Sequence, residues 1–418
     1  MESVTPSEAL RVLVIGAGSA GLLMGQIFKK ARAGIDVTVF EQDASPTARP
    51  RDWDFGVYWA QSRIDECLTS ELKALVDTVQ TDPSYRRHER SVLPVYNGFT
   101  GELIRDLPAP YAIRLRRRAW LDLIRTGLDV RYGKKLQSIT TTDESITAVF
   151  EDGTVETGAL LIGAEGAHSP TRNWLFQSSP EDAAMQDLPI SSFVALTRLD
   201  RKLALDLRAV HPTYCIALNP SGVFAWFSLH DGTSEDPAEW VFMILLTWPC
   251  NDTDGNEDLA KDSDLLLDKV CALAKPLAYP FDAMVRDIPR GTRAWYGKRV
   301  NYWPTRPWDG RGGLVTLAGD AAHALTFHRG QGLGNAITDV AELQTHLRAM
   351  KAHTRDELAK AIAKYEKEVW QRGYEVVMEN RENTLTLHDW DKVSQSMLLV
   401  AGLQRQKSQD GGDTKTRG

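Results

Sequence analysis

The stretch Leu10-Arg11-Val12-Leu13-Val14-Ile15-Gly16-Ala17-Gly18-Ser19-Ala20-Gly21 decides the fold. Val12 to Ile15 read as a buried strand, and the glycines after them open an apolar helix that runs through Lys30. A second strand, Asp36 to Phe40, ends on Glu41, about 20 residues beyond Gly21. Strand, complete GxGxxG, helix, strand and acid together form a dinucleotide-binding fingerprint. Gly16 would make the tight turn, Gly18 would let the pyrophosphate approach, and Gly21 would let helix and strand pack closely. Ser19 and Ala20 open the helix, whose N-terminus faces the phosphate charge. Glu41, followed by Gln42, stands where ribose hydroxyls need an acceptor. The fingerprint by itself fits FAD or NAD. Its place near the N-terminus, with two similar junctions much later, favours FAD.

Those junctions follow the apolar strands Ala159 to Ile162 and Leu314 to Ala318. The first comes after a hairpin turning on Glu151-Asp152-Gly153, with Ile146, Ala148 and Phe150 alternating before it. Between about Ser192 and Arg299 the texture changes to short β-branched and aromatic runs, such as Tyr214 to Leu218, Val223 to Leu229 and Trp240 to Trp248. After Asn335 the pattern is helical: Thr354-Arg355-Asp356-Glu357 is a capping box, and Leu358, Ile362, Tyr365 and Val369 recur at helical spacing. The expected fold is mixed α/β, a Rossmann-like FAD-binding domain with a second, antiparallel-sheet substrate domain and C-terminal helices. Residues 1–75, 107–190 and 290–345 would form the first, 76–106 and 191–289 the second, and 346–405 the helices, with 406–418 a disordered tail.

The chain has 418 residues, with 49 Lys+Arg against 56 Asp+Glu and a net charge of −7, so nucleic acid is not an expected partner. Met1 to Arg11 lacks the plan of a signal peptide, and apolar runs such as Val241 to Trp248 fall far short of the roughly 20 residues a bilayer requires. A cytoplasmic protein without a transmembrane segment is expected. Cys67, Cys215, Cys250 and Cys271 show no CxxC spacing and the histidines no HExxH, so no metal site or disulfide framework is indicated.

Leu160-Leu161-Ile162-Gly163-Ala164-Glu165-Gly166-Ala167-His168-Ser169-Pro170-Thr171-Arg172 resembles the second motif of the para-hydroxybenzoate-hydroxylase-type, class A FAD-dependent monooxygenases. Gly319-Asp320-Ala321-Ala322-His323, followed by Gly330-Gln331-Gly332 and Asn335, is similar to their third. The three motifs span residues 12 to 340. The resemblance implies that Asp320 binds the flavin ribityl chain and that the loop through Gly330, Gly332 and Leu333 brings N–H groups to the flavin pyrimidine edge. Glu165 stands where the family has Asp, a departure in the pyrophosphate and nicotinamide region. Ser169 and Arg172 keep the family spacing, and they also suit the cap of a helix starting near Pro170. The basic run Arg114-Leu115-Arg116-Arg117-Arg118 fits a solvated face, or a strand-to-helix junction where the family places an FAD-contacting arginine; spacing to Trp120 and Ile124 then selects Arg117.

The resemblance further implies that NADPH or NADH reduces the flavin and that O2 then gives a C4a-hydroperoxyflavin. This would hydroxylate or epoxidise an apolar aromatic or polycyclic small molecule, in a natural-product-tailoring branch of secondary metabolism. The substrate pocket is expected between the two domains. Phe55, Tyr58, Trp226 and His230 are its candidate liners, with Trp53, Trp59 and Tyr214 beside them. His328, just before the flavin-facing glycines, is the candidate catalytic residue, though loop packing would suit it too. A monomer or homodimer is expected. Competing readings are a reductase or a halogenase on the same scaffold, or a non-catalytic flavin-binding protein. The halogenase WxWxIP segment is not found; Tyr302-Trp303-Pro304 continues as Thr305-Arg306-Pro307.

Overall fold

The structure, a computed structural model, describes residues 10–30, 35–251 and 258–403; the expected tail, 406–418, lies outside them. A five-stranded parallel sheet carries the order Val315–Leu317, Leu160–Gly163, Leu10–Ile15, Ile35–Phe40, Asp129–Arg131. Its register sets Ile15 level with both Gly163 and Phe40, and Gly163 level with Leu317. All three motifs therefore leave the sheet at one carboxyl edge, where open α/β sheets bind ligands. Both faces of a parallel sheet must be covered. Val12, Val14 and Ile162 are accordingly buried, and the helices Ser19–Lys30 and Gly332–Arg348 belong to the same core.

A seven-stranded sheet has the order Ala294–Gly297, Ile190–Arg198, Val241–Pro249, Phe224–Asp231, Tyr214–Leu218, Val92–Asn97, Leu103–Pro108. Alternation divides its residues between two faces. Phe193, Ala225, Phe227, Ile244 and Leu246 join a separate core with the helices Arg201–Val210 and Ser263–Ala274. Their neighbours Val194, Phe224, Trp226, Met243 and Leu245 line a cavity instead. One boundary differs from expectation. Residues 294–297 pair with residues 192–195 and so belong to this sheet, not to the dinucleotide-binding part, because that strand completes the antiparallel ladder.

The hairpin at Gly153 (φ +83°) closes a three-stranded antiparallel sheet. Thr354 caps the 33-residue helix Arg355–Leu387 by accepting a bond from Glu357 N at 3.4 Å, as the capping box predicts. Leu358, Ile362, Tyr365 and Val369 are its buried stripe. Among the described residues no helix is long and apolar enough to cross a membrane.

Candidate active site

A cavity of about 1080 Å³ is lined both by the glycine turn after the first strand and by the aromatic face of the seven-stranded sheet. At the glycine turn, Gly16 has φ +104°, and a Cβ on it would lie 2.5 Å from Ala164 O. Gly21 does not line the cavity; its Cβ would lie 1.9 Å from Gly16 O, so this glycine serves helix–strand packing. Gly18 is the converse, with nothing within 4 Å of a Cβ, which leaves an open cradle over the helix start. Glu41 accepts from Ala17 N at 2.7 Å and Asp43 N at 3.0 Å. Its carboxylate thus props the loop, and each oxygen keeps a lone pair for a ribose hydroxyl. Ser19 Oγ accepts from Trp120 Nε1 at 3.1 Å, which ties the helix Arg117–Arg125 to the turn. Gln42 lines the cavity beside Glu41.

The arginine run separates by partner. Arg114 pairs with Asp54, Arg116 with Asp231 at 3.5 Å, and Arg118 donates to Arg49 O at 3.3 Å. Only the Arg117 guanidinium makes no hydrogen bond or ion pair among the described residues, although it lines the cavity; burial, and then neighbouring Arg49, lower its pKa. A partly desolvated guanidinium that makes no direct ion pair, with Asp52, Glu41 and Asp43 only in its wider surroundings, is suited to hold an anion. Arg117→Ala is expected to weaken FAD binding about tenfold or more, measured by flavin fluorescence titration, with the unfolding midpoint unchanged.

The third motif is held from behind. Gly319 has φ +62°, and its N–H donates to Asp339 Oδ2 at 2.7 Å. Asp339 is fully buried and also takes His323 Nε2 at 2.8 Å and Arg372 Nη2 at 2.5 Å. Asp320, the next residue, faces the cavity, and its carboxylate makes no hydrogen bond among the described residues. Gly332 and Leu333 open a helix with no acidic residue in its first turn and no side-chain cap, so their N–H groups are left for a ligand at the cavity. The second motif folds on itself. Glu165 accepts from Ser169 Oγ at 2.7 Å and from Thr171 N at 3.3 Å; burial raises its pKa, while the bonds from Thr171 and Ser169 act the other way. The longer acid therefore curls back onto the start of the helix Pro170–Leu175, with one side still on the cavity. Arg172, buried over the Trp303 ring at 4.7 Å, donates to Ala183 O at 3.1 Å and Ala321 O at 3.2 Å, clamping the second and third motifs together. Ser169 accepts from Arg172 N, so the cap role of this pair is realised too.

At the sheet end, Phe55, Tyr58 and Trp226 line the cavity, with Trp53, Trp295 and Tyr296. Tyr58 packs on the third motif: a Cβ on Gly330 (φ +60°) would meet its ring at 2.7 Å. Trp59 packs in the same way on Gly334, and Tyr214 stacks behind Trp226 at 5.7 Å; neither lines the cavity. Sequence reasoning passed over the buried Arg114–Asp54 pair, whose guanidinium lies 4.8 Å over the Trp226 ring.

The two candidate histidines differ in place, and one expectation changes. His230 does not line the cavity, because Asp54 draws it behind the wall: its Nδ1 lies 3.1 Å from Asp54 Oδ2 and its Nε2 3.7 Å from Asp52. Burial opposes its protonation, but the bonds to Asp52 and Asp54 prevail and lift its pKa to about 9. His328 does line the cavity, yet its Nε2 is 3.0 Å from Thr247 Oγ1 and its Nδ1 2.9 Å from Thr384 Oγ1. Burial, reinforced by His388, holds its pKa well below the usual value. Both nitrogens are thus engaged by hydroxyls, which secures the ring in the loop while it lines the cavity.

The protonated His230 stabilises the fold fully below its ordinary pKa of 6.5, and that contribution is lost as pH rises through about 9. The destabilisation caused by His230→Gln, read from urea unfolding, is therefore expected to be about 3 kcal/mol at about pH 6 and to vanish near about pH 10. A constant difference across that window would contradict it.

An FAD binding domain family model matches residues 301–380. The FAD-dependent monooxygenase cctM of Talaromyces islandicus is 42% identical over 402 residues, covering 96% of this chain and 99% of that protein. The chain belongs to the FAD-dependent monooxygenases. The monooxygenase phnB of Penicillium herquei is 32% identical over 98% of both chains. Klebsiella pneumoniae HpxO, solved with FAD and uric acid, superposes with a TM-score of 0.71 at 20% identity over 91% of this chain and 90% of its own, a likeness of fold.

The residues fit the cofactor of this monooxygenase family. The cradle at Gly18, the unpartnered carboxylate of Asp320 and the unpartnered guanidinium of Arg117 all face one cavity. When bound, FAD supplies the redox chemistry, accepting a hydride and activating O2. The residues that would hold it are the backbone N–H groups and positive helix end at Gly18 to Ala20, the acceptor Asp320, and the N–H donors of Gly332 and Leu333, which would face developing negative charge.

Proposed function

We propose that this monooxygenase hydroxylates or epoxidises an apolar aromatic or polycyclic small molecule, with NADPH or NADH as reductant, in secondary metabolism. One observation carries the reading: the cavity that begins at the dinucleotide turn continues without a partition onto a wall of Phe55, Tyr58, Phe224, Trp226, Trp295 and Tyr296. Flat rings bury well against such a wall, and excluding water there favours oxygen transfer over loss of peroxide. In this reading Gly16, Gly18, Ser19, Ala20, Glu41, Gln42 and Arg117 serve the adenine-nucleotide half of FAD, and Glu165, Asp320, Gly330, Gly332 and Leu333 its flavin half. Residues 1–75, 107–190 and most of 290–345 act as the FAD-binding part, 76–106 and 191–289 as the substrate part, and 346–405 as the C-terminal helices. The enzyme works in the cytoplasm as a monomer or homodimer.

The test is the rate of NADPH oxidation by the flavin-loaded enzyme as ring compounds of increasing size are added. Stimulation by phenols or fused-ring compounds about tenfold or more above the unliganded rate is expected, as substrate binding orders the site. Indifference to every one of them would sink the proposal.

A further inference from the structure

The last described turn lies against the loop of the third motif. Gln331, buried within the third motif, donates from Nε2 to Leu403 O at 3.2 Å, and Arg329 donates to Gly402 O at 3.2 Å. The turn is fixed from two other sides. Arg105 Nη1 donates to Leu399 O at 2.5 Å, and Leu398 N donates to Asn383 Oδ1 at 2.7 Å. Gln331 is itself held, since its Oε1 accepts from Asn380 Nδ2 at 2.8 Å. Asn380 and Asn383 are fully buried and lie three residues apart, on one face of the helix Arg355–Leu387. That face thus docks two things at once, the flavin-facing loop through Asn380 and the C-terminal helix Met397–Ala401 through Asn383. Buried amides are costly in an apolar interface unless bonded, so this row fixes one relative position of loop and turn.

The consequence falls on Leu403. It is 1% exposed, packs in the apolar cluster that contains Tyr58 and Phe224, and lines the cavity. We propose that Leu403 determines substrate size in this monooxygenase: its side chain closes the aromatic chamber, and Gln331 and Arg329 hold it at a fixed distance from the flavin-facing loop. This rests on the reading that the aromatic chamber receives the substrate. Since one methylene in an apolar pocket changes discrimination about tenfold or more, a larger side chain at this wall should exclude the largest ring systems first.

The test uses the full-length, FAD-loaded enzyme and its Leu403→Ala and Leu403→Trp variants, with Leu403→Phe in place of the latter if it fails to retain FAD. Two readouts are taken. Binding of resorcinol, 1,3-dihydroxynaphthalene and 1,8-dihydroxyanthrone is followed by perturbation of the flavin spectrum, and access to the chamber by acrylamide quenching of bound-flavin fluorescence. Leu403→Trp is expected to weaken the three-ring probe by about tenfold or more while resorcinol shifts by less than about twofold. Leu403→Ala is expected to raise the quenching constant. Quenching equal to that of the unsubstituted enzyme overturns the proposal, as does a uniform shift of all three probes. If no probe binds the unsubstituted enzyme but Leu403→Ala raises quenching, the aromatic-substrate reading fails and Leu403 stands as the chamber wall.

Discussion

Gly21→Ala protein is expected to lose its flavin and much of its stability together. The added Cβ would sit 1.9 Å from Gly16 O, a contact that no side-chain rotation relieves because the partner is backbone. The first helix must withdraw from the strand or the turn must open, and either change displaces the N–H groups meant for the pyrophosphate. Overpacking of this kind costs about 3 kcal/mol or more, and FAD affinity should fall by about a hundredfold or more. Gly18→Ala is the informative companion. Its Cβ meets nothing within 4 Å, so the apo-protein should unfold at the same urea concentration as the unsubstituted chain, yet it should bind FAD poorly because the methyl occupies the cradle. Equal flavin retention in Gly18→Ala would show that the cofactor does not approach this turn closely.

The second large effect is expected at Asp339, a residue that does not line the cavity. It accepts bonds from Gly319 N, His323 and Arg372, and it is fully buried. Arg372 is also bonded to Glu368 at 2.6 Å and to Asn335 at 3.2 Å, so removal of Asp339 leaves the guanidinium partly paired but strands the Gly319 N–H and the His323 ring. Breaking a buried ion pair from one side costs about 3–5 kcal/mol. Asp339→Ala should therefore lower stability by that amount in urea unfolding and loosen the turn that presents Asp320. Asp339→Asn keeps an acceptor for Gly319, so it should lose stability while retaining more FAD than the alanine variant. If both variants bind FAD like the parent, Asp339 does not position the third motif.

The parts of the site that could be read from sequence are those built locally. Gly16, Gly18, Gly21 and Glu41 carry a strand–turn–helix unit whose geometry is set within about 30 residues, and it formed as expected. The second and third motifs were legible for the same reason, and the apolar spacing of its helix placed Arg117 at the strand-to-helix junction where the helix begins. His230 shows where local reading stops. It follows Trp226 and Ser228 at strand alternation, and that spacing correctly puts them on one face. Asp54, 176 residues away, then covers that face, accepting from Ser228 at 2.9 Å and pairing with His230, so that only Trp226 reaches the cavity. His328 is similar, since Thr247 on the sheet and Thr384 on the long helix take its two nitrogens. Leu403 carries no motif at all, and its place depends on Gln331 and Arg329 more than 70 residues before it. Glu165 is an intermediate case. Its departure from the family's Asp was visible in the sequence, but the bonds from Ser169 and Thr171 that hold its carboxylate against the helix start are set by the folded turn.

The most direct test of the account follows the fate of O2 in the purified, FAD-loaded enzyme, supplied with NADPH, isotopically labelled O2 and a ring compound that stimulates NADPH oxidation. The account predicts a product heavier by one labelled oxygen atom, formed in proportion to the NADPH consumed. Labelled oxygen recovered only as peroxide or water, with the ring compound unchanged, would contradict it.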